Sequence, residues 1–195
     1  MQLTDKQIQL LIDFATVSTD GDGYPTMAAH PGGAPANFLA ALSRFGAKTA
    51  LLAKVGDDAF GSLLAQTLQQ EGVDLCGLRK DRRVFTTLAF VTLDAAGERQ
   101  FSFARKPGAD ACLCPEELDR ELICGAKIFH FGSLSLTHEP ARSATRAALE
   151  LAKEAGCLIT YDPNYRPPLW GSTEKAKEQM LWGINQGGTY ADIRV

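Results

Sequence analysis

The strongest constraint on this chain lies between His30 and Gly61. Gly32 and Gly33 come first, then Pro35, Ala36 and Asn37, then an apolar-rich stretch closed by Gly46. A second apolar run, 49–55, follows and ends at Gly56. The order reads loop, helix, turn, strand, loop. The paired glycines lack Cβ atoms, so their backbone can approach a ligand closely. Pro35 suits a first helical turn, where its missing N–H costs nothing. Asn37 falls where a helix leaves N–H groups free and its dipole is positive. Phe38, Ala41, Leu42 and Phe45 recur at helical spacing, and Gly46 suits the left-handed position after a helix. The stretch predicts a glycine pair and an amide side chain presented together at a helix mouth. A turn with an ordinary helix cap is the competing reading of the same residues.

Runs of strand and helix character alternate along the chain, which predicts an α/β fold with parallel strands near 49–55, 127–131, 158–162 and 190–195. Residues 8–14 read as a buried strand ended by Asp13, whose carboxylate is either a loop or capping group or an acceptor for ligand hydroxyls. Residues 18–24 are turn-rich, and 26–30 lead as a short strand into the glycine pair. A helix spans 57–71, with Asp57 or Asp58 as its cap rather than a metal pair, and Gly72 ends it. Two β-rich runs, 85–93 and 98–103, flank a turn containing Gly97 and predict a hairpin. The hairpin is either an insertion or a lid.

A short helix is expected at 115–122, a strand at 126–131, a helix at 139–155 and a strand at 157–162. His130 reads as a core histidine, and alternation points it away from Phe129 and Phe131. Ser133 follows at the strand end. The loop after Asp162 carries Asn164 and Arg166 among prolines, so a carboxylate, an amide and a guanidinium lie within five residues. Guanidinium suits paired phosphate oxygens; a polar loop with a local salt bridge is the alternative. A helix at 173–182 and the start of a strand at 190–195 complete the reading.

Composition excludes several classes. The chain has 195 residues, 45% hydrophobic and 22% charged, enough for one sizeable core, and a formal net charge of −3. That charge favours neither nucleic acid nor an anionic membrane surface. No apolar run has the length of a bilayer span and no secretory pattern stands at Met1, so a cytoplasmic location is the expectation. The five cysteines read as reduced, mostly buried thiols without zinc-site spacing.

The 32–56 pattern (glycine pair, small residue, Asn37, then Gly46 and Gly56 at matching intervals) resembles the first signature of the pfkB, ribokinase-like, carbohydrate kinases, with wording nearest the fructokinases. Leu39 stands where that pattern prefers a small residue. Ile8 and Gln9 replace its usual Gly-Glu pair. The run from Asp162 through Asn164 and Arg166 to Trp170 is similar to the fructokinase and ketodeoxygluconate-kinase branches. The resemblance implies a three-layer α/β/α sandwich with a mostly parallel sheet and a small β lid, truncated on its C-terminal side. It implies one partial kinase domain over 1–195, with lid elements near 14–30 and 85–105.

It also implies ATP- and Mg²⁺-dependent phosphorylation of a sugar hydroxyl, fructose to fructose 6-phosphate. Asp13, Gly32, Gly33, Asn37, Arg105, Ser133, Asn164 and Arg166 are the implied substrate-binding residues, and Asp162 lies towards metal-bound phosphate. The family's general-base Asp and anion hole, in a Gly-Ala-Gly-Asp stretch, have no counterpart here. Gly108, Ala109 and Asp110 resemble that stretch in letters only. The expected base therefore lies beyond residue 195, and the 195 residues alone are expected to bind sugar without transferring phosphate. A small-molecule sugar is the expected partner, with no nucleic acid and no membrane, and with a homodimer through the lid. A non-catalytic sugar-binding or interaction module and a 2-keto-3-deoxygluconate-type kinase are the alternatives.

Overall fold

The computed structural model describes residues 10–93 and 99–187. The chain divides into two compact units, residues 1–110 and 111–195.

In the first unit, β1 (Leu11–Thr19) and β2 (Pro25–Gly32) form an antiparallel pair. The Asp20 carboxylate closes the turn between them by accepting the Asp22 and Tyr24 N–H groups at 3.0 and 2.8 Å. α1 (Ala34–Arg44) follows directly, then β3 (Ala53–Gly56), α2 (Ala59–Gln70) and β4 (Leu78–Asp81). β5 (Leu88–Leu93) and β6 (Arg99–Ala104) form the expected hairpin, whose connection lies outside the described residues. The strands make a four-stranded sheet in the order β2-β1-β5-β6 and a separate parallel pair, β3-β4. β1 pairs β2 and β6 pairs β5 antiparallel, while β1 runs parallel to β5.

One face of the four-stranded sheet builds the core. Ile12 is fully buried with Leu51, Val55, Leu64 and Leu68, and Phe14, Leu39, Phe60 and Leu88 pack against them. Phe14 stacks on Phe90 at 5.3 Å and meets Phe60 edge-on at 5.5 Å. Burying such side chains stabilises by about 1.5–3 kcal/mol each.

Three readings of this unit change. Asp13 does not end its strand: Phe14 to Thr19, rich in β-branched residues, continue the ladder against β2. The sequence pattern does not predict β4, because Arg79, Lys80 and Asp81 hide its strand character; main-chain pairing with β3 after the α2 crossover creates it. The hairpin extends the first sheet, since β5 joins β1. The buried stripe of α1 also differs. Phe38 and Phe45 are exposed, while Ala36 is buried and Leu39 packs on the core. Ala36 and Leu39, three residues apart and so on one face, point to the core instead, and the large Leu39 becomes a core residue.

In the second unit, β7 (Ile128–Gly132) and β8 (Leu158–Asp162) pair in parallel. α3 (Arg120–Cys124), α4 (Ala141–Glu154) and α5 (Thr173–Ile184) accompany them. The buried side of α4 is Ala141, Ala144, Ala148, Leu149 and Ala152, small enough for close approach to the strands. Ala155 is exposed at the helix end. Phe131 packs on Tyr161 at 4.7 Å and on Trp182 at 6.4 Å, and the Arg146 guanidinium lies 4.4 Å over the Trp182 ring.

The helix expected at 115–122 is instead a single 3₁₀ turn, Pro115–Glu117, followed by α3. Leu118 and Asp119 are extended, and the Asp119 carboxylate accepts the Leu122 N–H and starts a new helix. All five cysteines are free thiols, but only Cys157 is buried; Cys76 sits in the turn before β4 and Cys124 at the end of α3, both exposed. The strand expected at 190–195 lies outside the described residues. No described helix is long and apolar enough to cross a membrane.

Candidate functional site

The first unit carries one group of candidate residues around the junction of β2 and α1. Strand register decides which side chains share a face. Asp13 pairs with His30 across β1–β2 and with Ala89 across β1–β5, and Ala89 pairs with Phe103. These four residues form one row on the face opposite Ile12 and Phe14. Gly32 lies on the same face, and a Cβ there would collide with the Asp13 carboxylate, which occupies the space a side chain would take. Gly33 is the residue before α1, and its carbonyl accepts the Asn37 N–H at 2.8 Å. An acid, two glycines and a helix N-terminus therefore stand together, a setting that suits neighbouring ligand hydroxyls.

The Arg105 side chain, just past β6, is only 4% exposed. Its Nη2 lies 2.8 Å from the Asp110 carboxylate, and its Nε donates to the same carboxylate at 3.2 Å.

The second unit carries the other group at the C-terminal ends of its parallel pair. Gly132 is the register partner of Asp162. Ser133, fully buried, donates its hydroxyl to the Asn164 carbonyl and so ties the loop after β8 to the end of β7. Burial pushes the Asp162 carboxyl above its usual range, outweighing the pull of His130 and Arg166 in the other direction. His130 shares its face with Thr160, whose hydroxyl lies 2.9 Å from Nδ1. Burial holds the His130 imidazole below its ordinary value, against the attraction of Asp162. The Asn164 Nδ2 is buried with no hydrogen-bond partner, an arrangement that usually has a reason. A ligand oxygen at this strand end would supply one.

Among the described residues, no group of three or more His, Cys, Asp and Glu side chains could hold a metal ion. Asp162 is a single carboxylate, a donor that suits Mg²⁺ when phosphate oxygens and water complete the shell. The structure thus brings Asp13 and Gly32 together, and Ser133 and Asn164 together. It assigns Arg105 to an ion pair. Sequence reasoning misses His30 and Asp110 as neighbours of these residues. His30 was within reach of sequence reasoning, because a turn at 20–24 pairs it with residue 13. Asp110 had no local signal.

A profile described as "pfkB family carbohydrate kinase" matches residues 10–186. The chain is 51% identical over 175 residues to a probable fructokinase-3 of Arabidopsis thaliana, covering 89% of this chain and 51% of that protein. It is also 51% identical over 178 residues to a fructokinase-2 of Solanum lycopersicum, covering 89% and 54% respectively. The chain spans about half the length of the curated relatives it matches. Among solved structures, a fructokinase from Xylella fastidiosa superposes with a TM-score of 0.86 at 32% identity, over 94% of this chain and 60% of that one. A sugar kinase from Pyrococcus horikoshii, solved in complex with ATP, gives 0.83 at 33% identity, over 93% and 60%.

Proposed function

Because this chain belongs to the pfkB family of carbohydrate kinases and has their ribokinase-like α/β fold, we propose that it carries the sugar-holding part of a fructokinase. The reaction is transfer of the terminal phosphoryl group of ATP to a hydroxyl of fructose, giving fructose 6-phosphate. The observation that carries the reading is the Asp13 carboxylate lying over Gly32 beside the start of α1, in a chain similar to fructokinases.

In this reading Asp13 accepts hydrogen bonds from sugar hydroxyls. Gly32 and Gly33 let the sugar approach the backbone, and Asn37 adds an amide. Ser133, Asn164 and Arg166 serve the reacting end, with the orphaned Asn164 amide as a donor. Arg105 contributes its positive charge from within its ion pair. Asp162 faces the phosphate and Mg²⁺, where an arriving cation draws its raised pKa down and restores the charged form. ATP and Mg²⁺ supply the phosphoryl group and neutralise its charge. No general base is assigned within these residues. The strands near 14–30 and 85–105 act as the lid, and we place a homodimer contact on their face bearing Phe101, which is exposed and stacked against Phe103. Sedimentation at rising concentration tests that contact, and a Phe101→Glu chain that self-associates like the wild type overturns it.

The sugar reading is tested by calorimetric titration of fructose into the 195-residue chain. Wild-type chain is expected to bind fructose more tightly than ribose or 2-keto-3-deoxygluconate, and Asp13→Ala to weaken fructose at least tenfold. Equal affinity of wild type and Asp13→Ala overturns the assignment.

A further inference from the structure

Two carboxylates fasten the roots of the β5–β6 hairpin, and neither belongs to the proposed sugar site. The entry leg is held at Thr86. Asp58, the cap of α2, accepts the Thr86 N–H at 2.8 Å and the Thr86 hydroxyl at 2.9 Å, along with the Phe60 and Gly61 N–H groups. The Thr86 oxygen in turn accepts the Gly56 N–H at 3.0 Å.

The exit leg is held at Asp110. This carboxylate pairs with Arg105 on the leg leaving β6 and accepts the Thr87 hydroxyl on the leg entering β5. The Ala109 N–H donates to the Phe85 carbonyl at 3.0 Å and closes the same junction. Thr87 is 1% exposed, and its carbonyl accepts the Ile12 N–H at 3.1 Å, one residue from Asp13. The cluster is full: a Cβ on Gly108 would collide with the Thr87 hydroxyl and come within 2.9 Å of both Arg105 and Asp110.

We propose that Asp110 is a positioning residue: through Arg105 and Thr87 it locks both legs of the hairpin to each other and to β1, and so sets the sheet face that presents Asp13. The part that concerns sugar rests on the fructokinase reading; the lock itself does not. A buried, bidentate ion pair resists distortion where a packed apolar contact would slide. Leu88 and Phe90, just past the entry leg, pack beside Ile12 and Phe14, so the lock adjoins residues of the core.

Amide exchange and fructose titration on the 195-residue chain test this with four variants. Asp110→Asn keeps the shape and removes the charge. Thr87→Val keeps the volume and removes the hydroxyl, while Thr87→Ser restores the hydroxyl. Gly108→Ala crowds the cluster with its charges intact. The first, second and fourth are expected to speed exchange at least tenfold in 88–93 and 99–104, with 59–70 and 141–154 unchanged, and to weaken fructose about fivefold or more. Thr87→Ser is expected to match the wild type. If Asp110→Asn does not fold, the Val and Ser pair decides. Unchanged hairpin exchange, a rise shared by 59–70, or Thr87→Ser behaving like Thr87→Val overturns the lock. Failure of the wild type to bind fructose removes the sugar reading and leaves the exchange result to judge the lock.

Discussion

Gly56 faces Asp81 at the end of one parallel strand pair, and Gly132 faces Asp162 at the end of the other. Position, residue types and register are the same; the surroundings are not. Asp81 is 8% exposed, with the buried Lys54 ammonium 3.5 Å away. It also accepts Arg83 Nε and Nη2 at 3.2 and 3.1 Å and the Arg83 N–H at 2.9 Å. Those bonds, the Arg83 side chain foremost, hold its carboxyl far below the usual range. At Asp162 burial wins and the carboxyl rises. A carboxylate whose demands are met inside the protein is structural, and we propose that the desolvated one, two residues before the orphaned Asn164 amide, serves a ligand.

The comparison breaks most sharply at Asp81. Asp81→Asn strips the carboxylate from buried Lys54, and removing one member of a buried pair is among the costliest single changes. It is expected to lower the urea midpoint more than any other change described here. Equal midpoints for Asp81→Asn and Asp162→Asn would erase the distinction. Next in size, Ser133→Ala leaves the Asn164 carbonyl without its donor and costs about 1–3 kcal/mol in urea unfolding. It is also expected to weaken fructose binding, since Asn164 loses its tether; unchanged stability and affinity would show the tether to be idle.

Acid titration separates the two carboxylates by sign. With a lowered pKa, Asp81 binds fewer protons folded than unfolded, so its stabilisation is present above an unfolded value of about 3.8 and is lost as pH falls below it. With a raised pKa, Asp162 binds more protons when folded, so its penalty builds as pH rises above the unfolded value of about 3.8 and is complete beyond its folded value. His130, lowered by burial, adds stability above about pH 6.5 that falls away as the solution is acidified. Urea midpoints between pH 3 and 8 read these slopes, and His130→Gln should flatten the segment near 6.5. The smallest effect is Asp162→Asn at neutral pH, where loss of a penalised charge leaves the midpoint unchanged or slightly higher. The same change should shift the His130 imidazole resonance midpoint downward by removing its attractive neighbour.

Regular elements with strong punctuation were legible in the residues alone. Gly46 and Gly72 both take positive φ at helix ends, and the Asp58 cap stands where the pattern placed a helix start. Elements defined by tertiary pairing were not. The charged β4 is a strand only because β3 lies beside it, and β1 outruns Asp13 only because β2 returns alongside. At the candidate site, the glycine pair and the 162–166 loop carry local signals. Arg105 could be picked out by position, but its partner Asp110 could not, because their pairing follows from how the legs of a hairpin meet.

The parallel contact between β1 and β5 also orders events during synthesis. Ile12 waits for Leu88, about 76 residues later in the chain. At typical elongation rates that is roughly 4–15 s. The β1–β2 hairpin is local and forms in microseconds, so for those seconds β1 presents an open strand edge, the surface through which nascent chains pair wrongly. Ile12 and Phe14, later the centre of the core, are among the residues that a holding chaperone would cover first.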